Sequence, residues 1–550
     1  MPAVPDHRFY YLSNFQQALD WLGQRYADLL QDEERDFLLR FPALPLAARA
    51  LFVRMMMRKG EHFRASRLAY PEIGCPLQAS RDLPPEWVEQ DAPLSLAQVF
   101  ALATKPELLR WFGVRGGLRT ARKDSLLAAL ESDPLHAAPR CLSQWIAPGQ
   151  GGEAVLRMRV GGLCERLRLM FFGNLRQDWS EFVLADLGTL RYEQIALSAE
   201  ARGFRSRTDI DLYLQLQACK QRFEAGDEVA AVLDALPAER FDNPWLESRR
   251  ERLLFQLGQH CEKAGDWPQA QQIYAACRYP GARARAIRVL EKLGRFGPAQ
   301  ALLTIARQSP ESEAERQQLL RIAPRLARQL GLPPALRPRP AVVDQIELVL
   351  PAEGGRVERA VQLHLQQADA PVFYVENALA NALFGLLCWE ALFAPIPGAF
   401  FHPFQREPAD LLSADFAARR RDVLERCLRR FDDGSYRAHL LAIQESKHGL
   451  QSPFVAWGWV TRELMVMALD CIPAAHLKLW CLRILDDIRE NRNGFPDLIQ
   501  FWPQQGRYRM VEVKGPGDRL QDNQRRWLDY CAQHAMPVAV CYLQWEQAAG

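Results

Sequence analysis

The chain carries no Cys-X-X-Cys pair. Its 12 cysteines are scattered from Cys75 to Cys541 without zinc-ligand spacing, so they read as reduced, mostly buried thiols rather than a metal cage or a disulfide framework. It also has little net charge: +3 is too small to argue nucleic-acid binding by itself, and such an argument has to rest on local patches. No long uninterrupted apolar run is present. The most membrane-like stretch, Ala378 to Phe401, is broken by Asn381, Glu390, Pro395 and Pro397, which favours a buried core helix over a membrane span. Met1-Pro-Ala-Val-Pro-Asp-His7 has neither a basic start nor an apolar core, so no standard signal peptide is expected. With 48% apolar and 25% charged residues over 550 positions, the composition is that of a cytoplasmic globular protein of about three to four domains, bound to no membrane.

What is present is concentrated between Gly494 and Gly515. Asp497 sits in the short apolar run Phe495 to Trp502, Pro503 to Gly506 supply turn chemistry, and Arg509 to Lys514 alternates as a strand does. A period of two puts Glu512 and Lys514 on one face of that strand and Val511 and Val513 on the other. If the two strands pair as a hairpin, Asp497 meets Glu512 across the ladder. Two carboxylates and an ammonium around one point suit phosphodiester hydrolysis. The carboxylates hold Mg²⁺ or Mn²⁺ through oxygen, the metal lowers the pKa of a bound water, and Lys514 orients the attacking water or stabilises developing charge. Pro-Asp, a spacer and Glu-X-Lys form the PD-(D/E)xK signature. A solvated Glu-Val-Lys strand face is the alternative reading of these residues alone.

Further motifs agree with the first reading. Gly494-Phe-Pro-Asp-Leu-Ile, Val511-Glu-Val-Lys-Gly-Pro-Gly-Asp-Arg-Leu520 and Gln524-Arg-Arg-Trp-Leu528 resemble the VRR-NUC domain that closes the Fanconi-associated nuclease family. Val375-Glu-Asn, Leu383-Phe-Gly-Leu-Leu-Cys-Trp389, and Ile396-Pro397 leading to Phe404-Gln405 are similar to another block of that family's nuclease domain. The resemblance implies that Glu376, Asp497 and Glu512 are metal ligands with the Val513 carbonyl, that Lys514 is the catalytic lysine, and that Gln405 belongs to the active site. It also implies a structure-selective 5′-flap endonuclease and 5′-to-3′ exonuclease in DNA interstrand crosslink repair, acting on branched or flapped duplex DNA with repair proteins as partners. Four-way-junction cleavage and a non-catalytic repeat scaffold are the alternatives. Read alone, Glu376 heads an apolar stretch with Leu379, Leu383, Leu386 and Leu387 at helical spacing, where a carboxylate suits the helix dipole. Eukaryotic members place a lysine eleven positions after the Glu of Glu-X-Lys, in a 5′-phosphate pocket; here the position is Asn523. Arg489 and Arg492 stand upstream of Pro-Asp, and with Arg519 they are expected to contact DNA.

The expected architecture is multidomain and mainly α. Residues 1–90 form an N-terminal helical region in which Phe52-Val-Arg-Met-Met-Met-Arg-Lys59 reads as a packed helix or as a contact to DNA backbone. Residues 91–208 hold a SAP-like module with three short helices, the first capped by Ser95, and a winged-helix hairpin suggested by the strand-like stretches Glu153–Val160 and Leu167–Phe172. Lys105, Arg110, Arg115, Arg119, Arg122 and Lys123 stand against only Glu107 between 101 and 123, a cluster suited to duplex phosphates; a solvated basic loop is the other reading. Across 209–335 a weak repeat with Gly226, Gly265 and Gly294, and the pairs Trp267/Ala270 and Phe296/Ala299, predicts TPR-like stacked helices. Arg337-Pro-Arg-Pro-Ala341 marks the boundary before an α/β PD-(D/E)xK domain at 342–550.

Overall fold

The computed structural model describes residues 8–146, 153–181, 190–198, 200–333, 342–351 and 355–546. The expected boundary at Arg337–Ala341 lies outside them. The chain divides into two compact units, the first formed mainly by the residues up to Arg191 and the second mainly by those from Asp211 onward.

In the first unit, helices Tyr10–Arg25, Asp32–Arg40 and Leu46–Met56 bury an aromatic core of Phe15, Phe37, Phe41, Phe52 and Trp87. Strands β1 (His62–Arg64), β2 (Val88–Gln90) and β3 (Val155–Met158) form a sheet in the order β1-β3-β2, with β3 antiparallel to both neighbours. The SAP-like helices Leu96–Leu102, Lys105–Trp111 and Lys123–Glu131 are therefore an insertion between β2 and β3, and a division at residue 90 cuts through this sheet. Ser95 caps the first of them, its hydroxyl accepting from the Gln98 N–H at 3.3 Å. Arg64 on β1 ties the insertion down through Glu107 at 2.7 Å and also pairs with Glu153. Burial opposes the charged form of Glu107, but the Thr104 N–H and hydroxyl and the Arg64 guanidinium outweigh it and hold the carboxyl at about 2.

The strand-like reading of Leu167–Phe172 is corrected: Gly161–Phe172 is a helix. Its alternation spans too few residues to set a period of two, whereas Leu163, Leu167, Met170 and Phe171 recur at helical spacing and are all buried. β3 thus takes its partners from β1 and β2 rather than from a hairpin within 150–195.

In the second unit, Pro244–Ala264 with Trp267–Ala276, and Ala282–Lys292 with Phe296–Gln308, are successive helical hairpins, followed by Glu313–Gln329. Gly265 and Gly294 sit past the ends of their helices in the left-handed region, φ 81° and 70°, where glycine carries no side-chain penalty. Ala270 and Ala299 are fully buried, as close stacking requires. The nuclease region is a five-stranded mixed sheet in the order β4-β8-β7-β6-β5, built from β4 (Asp344–Leu350), β5 (Val372–Tyr374), β6 (Leu498–Trp502), β7 (Arg507–Lys514) and β8 (Val538–Trp545). Helix Val357–Leu365 covers one face through Val361, against Leu498, Val511, Val513, Cys541 and Leu543. The other face, carrying Ile499, Phe501, Met510 and Val540, joins the large core around helix Leu379–Leu387, Trp480 and Trp527. Among the described residues no single helix is long and apolar enough to cross a membrane.

Candidate active site

β6 and β7 pair antiparallel with Leu498 opposite Val511, so the next step of the register sets Asp497 opposite Glu512. Pro503–Gln505 and the left-handed Gly506 close the hairpin. Alternation puts Val511 and Val513 into the apolar cluster under helix Val357–Leu365, leaving Glu512 and Lys514 on the opposite side. The three polar side chains are buried nonetheless, at 6% exposure for Asp497, 1% for Glu512 and 7% for Lys514. Lys514 Nζ lies 2.8 Å from Glu512 Oε1, and Asp497 Oδ2 accepts a hydrogen bond from the Val513 N–H at 2.8 Å.

This enclosure is costly for negative charge. Burial first, then Asp497, pushes the Glu512 carboxyl up to about 8 despite Lys514. Burial also raises Asp497 to about 6; the Val513 N–H opposes this and the charge of Glu376 adds to it. Two buried carboxylates answered by one ammonium form an oxygen donor set that a hard divalent cation fits, because the ion would relieve the repulsion burial creates. Among the described residues no three carboxylate, imidazole or thiolate side chains stand close enough to hold an ion by themselves. Glu376 is near enough for its charge to raise both carboxyls. It is exposed, lies in the turn before helix Leu379–Leu387, and accepts from the Tyr374 hydroxyl.

That turn is held by its neighbours. The Val375 N–H donates to the Asp497 carbonyl at 2.8 Å, bringing β5 alongside the start of β6. Asn377 adopts a left-handed φ of 51°, which asparagine tolerates better than most residues, and its Oδ1 accepts from the Phe495 N–H at 3.2 Å. Tyr374 is the residue that sequence reasoning passed over. Its only signal was adjacency to Val375-Glu-Asn on a short strand.

The other expected residues divide. Gln405 is engaged with its own loop: Oε1 accepts from the Phe401 N–H at 3.0 Å, and Nε2 donates to the carbonyls of Ala399 and Glu407 at 2.8 and 2.7 Å. Arg489 donates to the Tyr279 hydroxyl at 2.8 Å and shares an open concavity of about 470 Å³ with Asn523 and Arg526. Arg526 is itself paired to Glu490 at 2.9 Å. Arg492 is half-buried, Arg519 is exposed, and neither lines that concavity. Gly494, at φ 90°, lies so close to Asn523 that a Cβ there would meet its backbone at 2.7 Å. In the first unit, Lys105, Arg110 and Arg119 line one shallow concavity of about 440 Å³. Arg115 and Arg122 are exposed, whereas Lys123 Nζ donates to the Ala103 carbonyl at 2.9 Å and braces the fold.

Comparison with known proteins finds matches along the chain. Residues 432–545 match the VRR-NUC domain family, residues 93–145 the Fanconi anemia-associated nuclease SAP domain, and residues 9–89 the family described as FAN1, HTH domain. The last falls where the sequence suggested only a helical region. The chain is 54% identical to the Fanconi-associated nuclease 1 homolog of Pseudomonas aeruginosa, covering 99% of this chain and 97% of that protein. It is 24% identical to the Arabidopsis thaliana homolog, covering 96% of this chain and 66% of that protein. A crystal structure of paFAN1 bound to DNA with a 2-nucleotide 5′ flap and a gap matches with a TM-score of 0.93 at 54% identity, over 100% of both chains.

Proposed function

We propose, from the premise that this chain belongs to the Fanconi-associated nuclease family, that its DNA-cleaving activity is a 5′-flap endonuclease and 5′-to-3′ exonuclease serving interstrand crosslink repair. The observation that carries the assignment of the site is the hairpin register opposing Asp497 to Glu512, with Lys514 2.8 Å from the latter. Asp497, Glu512 and the Val513 carbonyl would hold the divalent ion that a VRR-NUC nuclease uses, with Mg²⁺ or Mn²⁺ as the candidates, and Glu376 would join them on leaving Tyr374. Such an ion supplies an acidified water and offsets phosphate charge.

The chain's own groups do the rest. The Val513 N–H fixes the Asp497 carboxylate, leaving its other oxygen available to a ligand. Lys514, held by Glu512, presents a positive charge where the leaving and attacking oxygens gain negative charge. Lys105, Arg110 and Arg119, with the exposed Arg115 and Arg122, supply a grip on duplex phosphates without reading sequence. Selection then follows from the shape and bending of the DNA, and the work is done in the bacterial cytoplasm at the nucleoid. Because Asn523 replaces the lysine of eukaryotic members, and Arg526 beside it is already paired, the pocket for a 5′-phosphate is weakened here, with Arg489 as its remaining cation.

Labelled 5′-flap, 3′-flap and four-way DNA, each incubated with the full chain plus Mn²⁺ or chelator, test this reading. Preferred metal-dependent cutting near the 5′-flap junction is expected. Preferred cutting of four-way DNA would replace it with junction resolution.

A further inference from the structure

We infer that Trp459 is a stacking platform for a nucleobase of the strand being cut, an inference that rests on the active-site reading above. Among the described residues it is the one exposed Phe, Tyr or Trp, at 58% exposure, whereas most of the others are buried in cores. A ring stacked on that indole would remove apolar surface of both from water.

The exposure does not come from a loose loop. Between helices Tyr436–Ser446 and Arg462–Cys471 the backbone is pinned on both sides of Trp459. Before it, Phe454 packs edge-on against Phe384 with ring centroids 4.8 Å apart, and the Trp457 indole donates to the Leu450 carbonyl at 2.7 Å. After it, Val460 is buried and its carbonyl accepts from Gln444 at 3.2 Å. A rigid frame therefore presents one apolar plate to solvent.

The plate adjoins the site. The Trp459 ring lies 5.7 Å from the Tyr374 ring, and the Tyr374 hydroxyl donates to Glu376. β5, which carries Tyr374, is hydrogen-bonded to β6 just beside Asp497. A strand whose phosphate reaches Asp497, Glu512 and Lys514 thus passes an aromatic ledge. Every base has a π-face, so a single-stranded or frayed nucleotide is retained there whatever its identity, and the next phosphate is placed. Of the candidate occupants, an unpaired DNA base is favoured over a protein because the ledge borders the cleavage centre of an enzyme that acts on DNA.

The test is a double-mutant cycle between protein and DNA. Single-turnover cleavage of 5′-flap DNA carrying one abasic residue, moved stepwise across the flap and junction, is measured with wild type, Trp459→Ala and Trp459→Phe. Trp459→Ala is expected to slow cleavage of intact DNA by roughly 5- to 100-fold, the range for one stacked base, with an unchanged melting temperature, and Trp459→Phe to restore most of the rate. At one abasic position wild type slows by a similar factor, and Trp459→Ala slows no further. Multiplying effects at every position, or wild-type cleavage by Trp459→Ala as expected if the indole serves a protein partner, overturn the proposal. Asp497→Ala in the same assay separates the two readings: continued cutting removes the active-site assignment, whereas loss of cutting with multiplying Trp459 effects removes only the stacking.

Discussion

The carboxylate of Asp497 accepts a hydrogen bond at 2.8 Å from the backbone N–H of Val513, the residue between Glu512 and Lys514. One bond thereby aligns the start of β6 with the end of β7 and brings the acid, the second acid and the lysine to one place. The side chain is positioned by the ladder itself, which is stiffer than a loop.

Replacing Lys514 with Ala is expected to lower the cleavage rate on the order of 10²-fold or more, the loss seen when a preorganised charge stabiliser is removed, with little change in metal affinity. Single-turnover rates and metal titration check this. Normal rates with weakened metal binding would reverse the role.

Metal binding should depend on pH with a definite sign. Glu512 is raised to about 8 and Asp497 to about 6. A carboxyl raised on folding stabilises the folded chain while protonated, so the metal-free chain loses that contribution as pH climbs through about 6 and then about 8. A divalent ion competes with those protons, so the melting-temperature gain on adding Mn²⁺ should be small near about pH 5.5 and larger near about pH 8.5. A gain independent of pH would show that the ion binds elsewhere.

Neutralising Arg110, Arg115, Arg119 and Arg122 together should weaken binding to all DNA structures alike and flatten its salt dependence by up to about 0.9 per lost phosphate contact. Lys123→Ala should instead lower the melting temperature, since its ammonium serves the Ala103 carbonyl. An unchanged salt slope in the arginine variant would return the cluster to a solvated loop.

Gly494→Ala should destabilise the chain by about 1–3 kcal/mol or more, since a left-handed backbone and contact with Asn523 both oppose a methyl group. Chemical unfolding measures it. Wild-type stability would mean that this turn yields easily.

The hairpin was legible in the sequence because Pro503–Gly506 and the alternation of Arg509–Lys514 are local signals with a fixed period. Helix Leu379–Leu387 was legible from its leucine spacing. What local signals could not carry was long-range pairing. β3 finds β1 and β2 across an inserted module, and nothing in Val155–Met158 names those partners. Leu167–Phe172 misled because a short alternation fits either period when the segment is buried. The three backbone hydrogen bonds of the Gln405 amide likewise leave no trace in the sequence, because they depend on how its loop folds back. Tyr374 and Trp459 escaped notice because ring contacts between distant segments leave no spacing pattern.

The central claim is that Asp497 and Glu512 together form the cleaving centre while DNA is held elsewhere. Asp497→Ala and Glu512→Gln, assayed in parallel for 5′-flap cleavage with Mn²⁺ and for flap-DNA affinity, test it most directly. The account predicts loss of cleavage in both variants with affinity close to wild type; cleavage retained in either would contradict it.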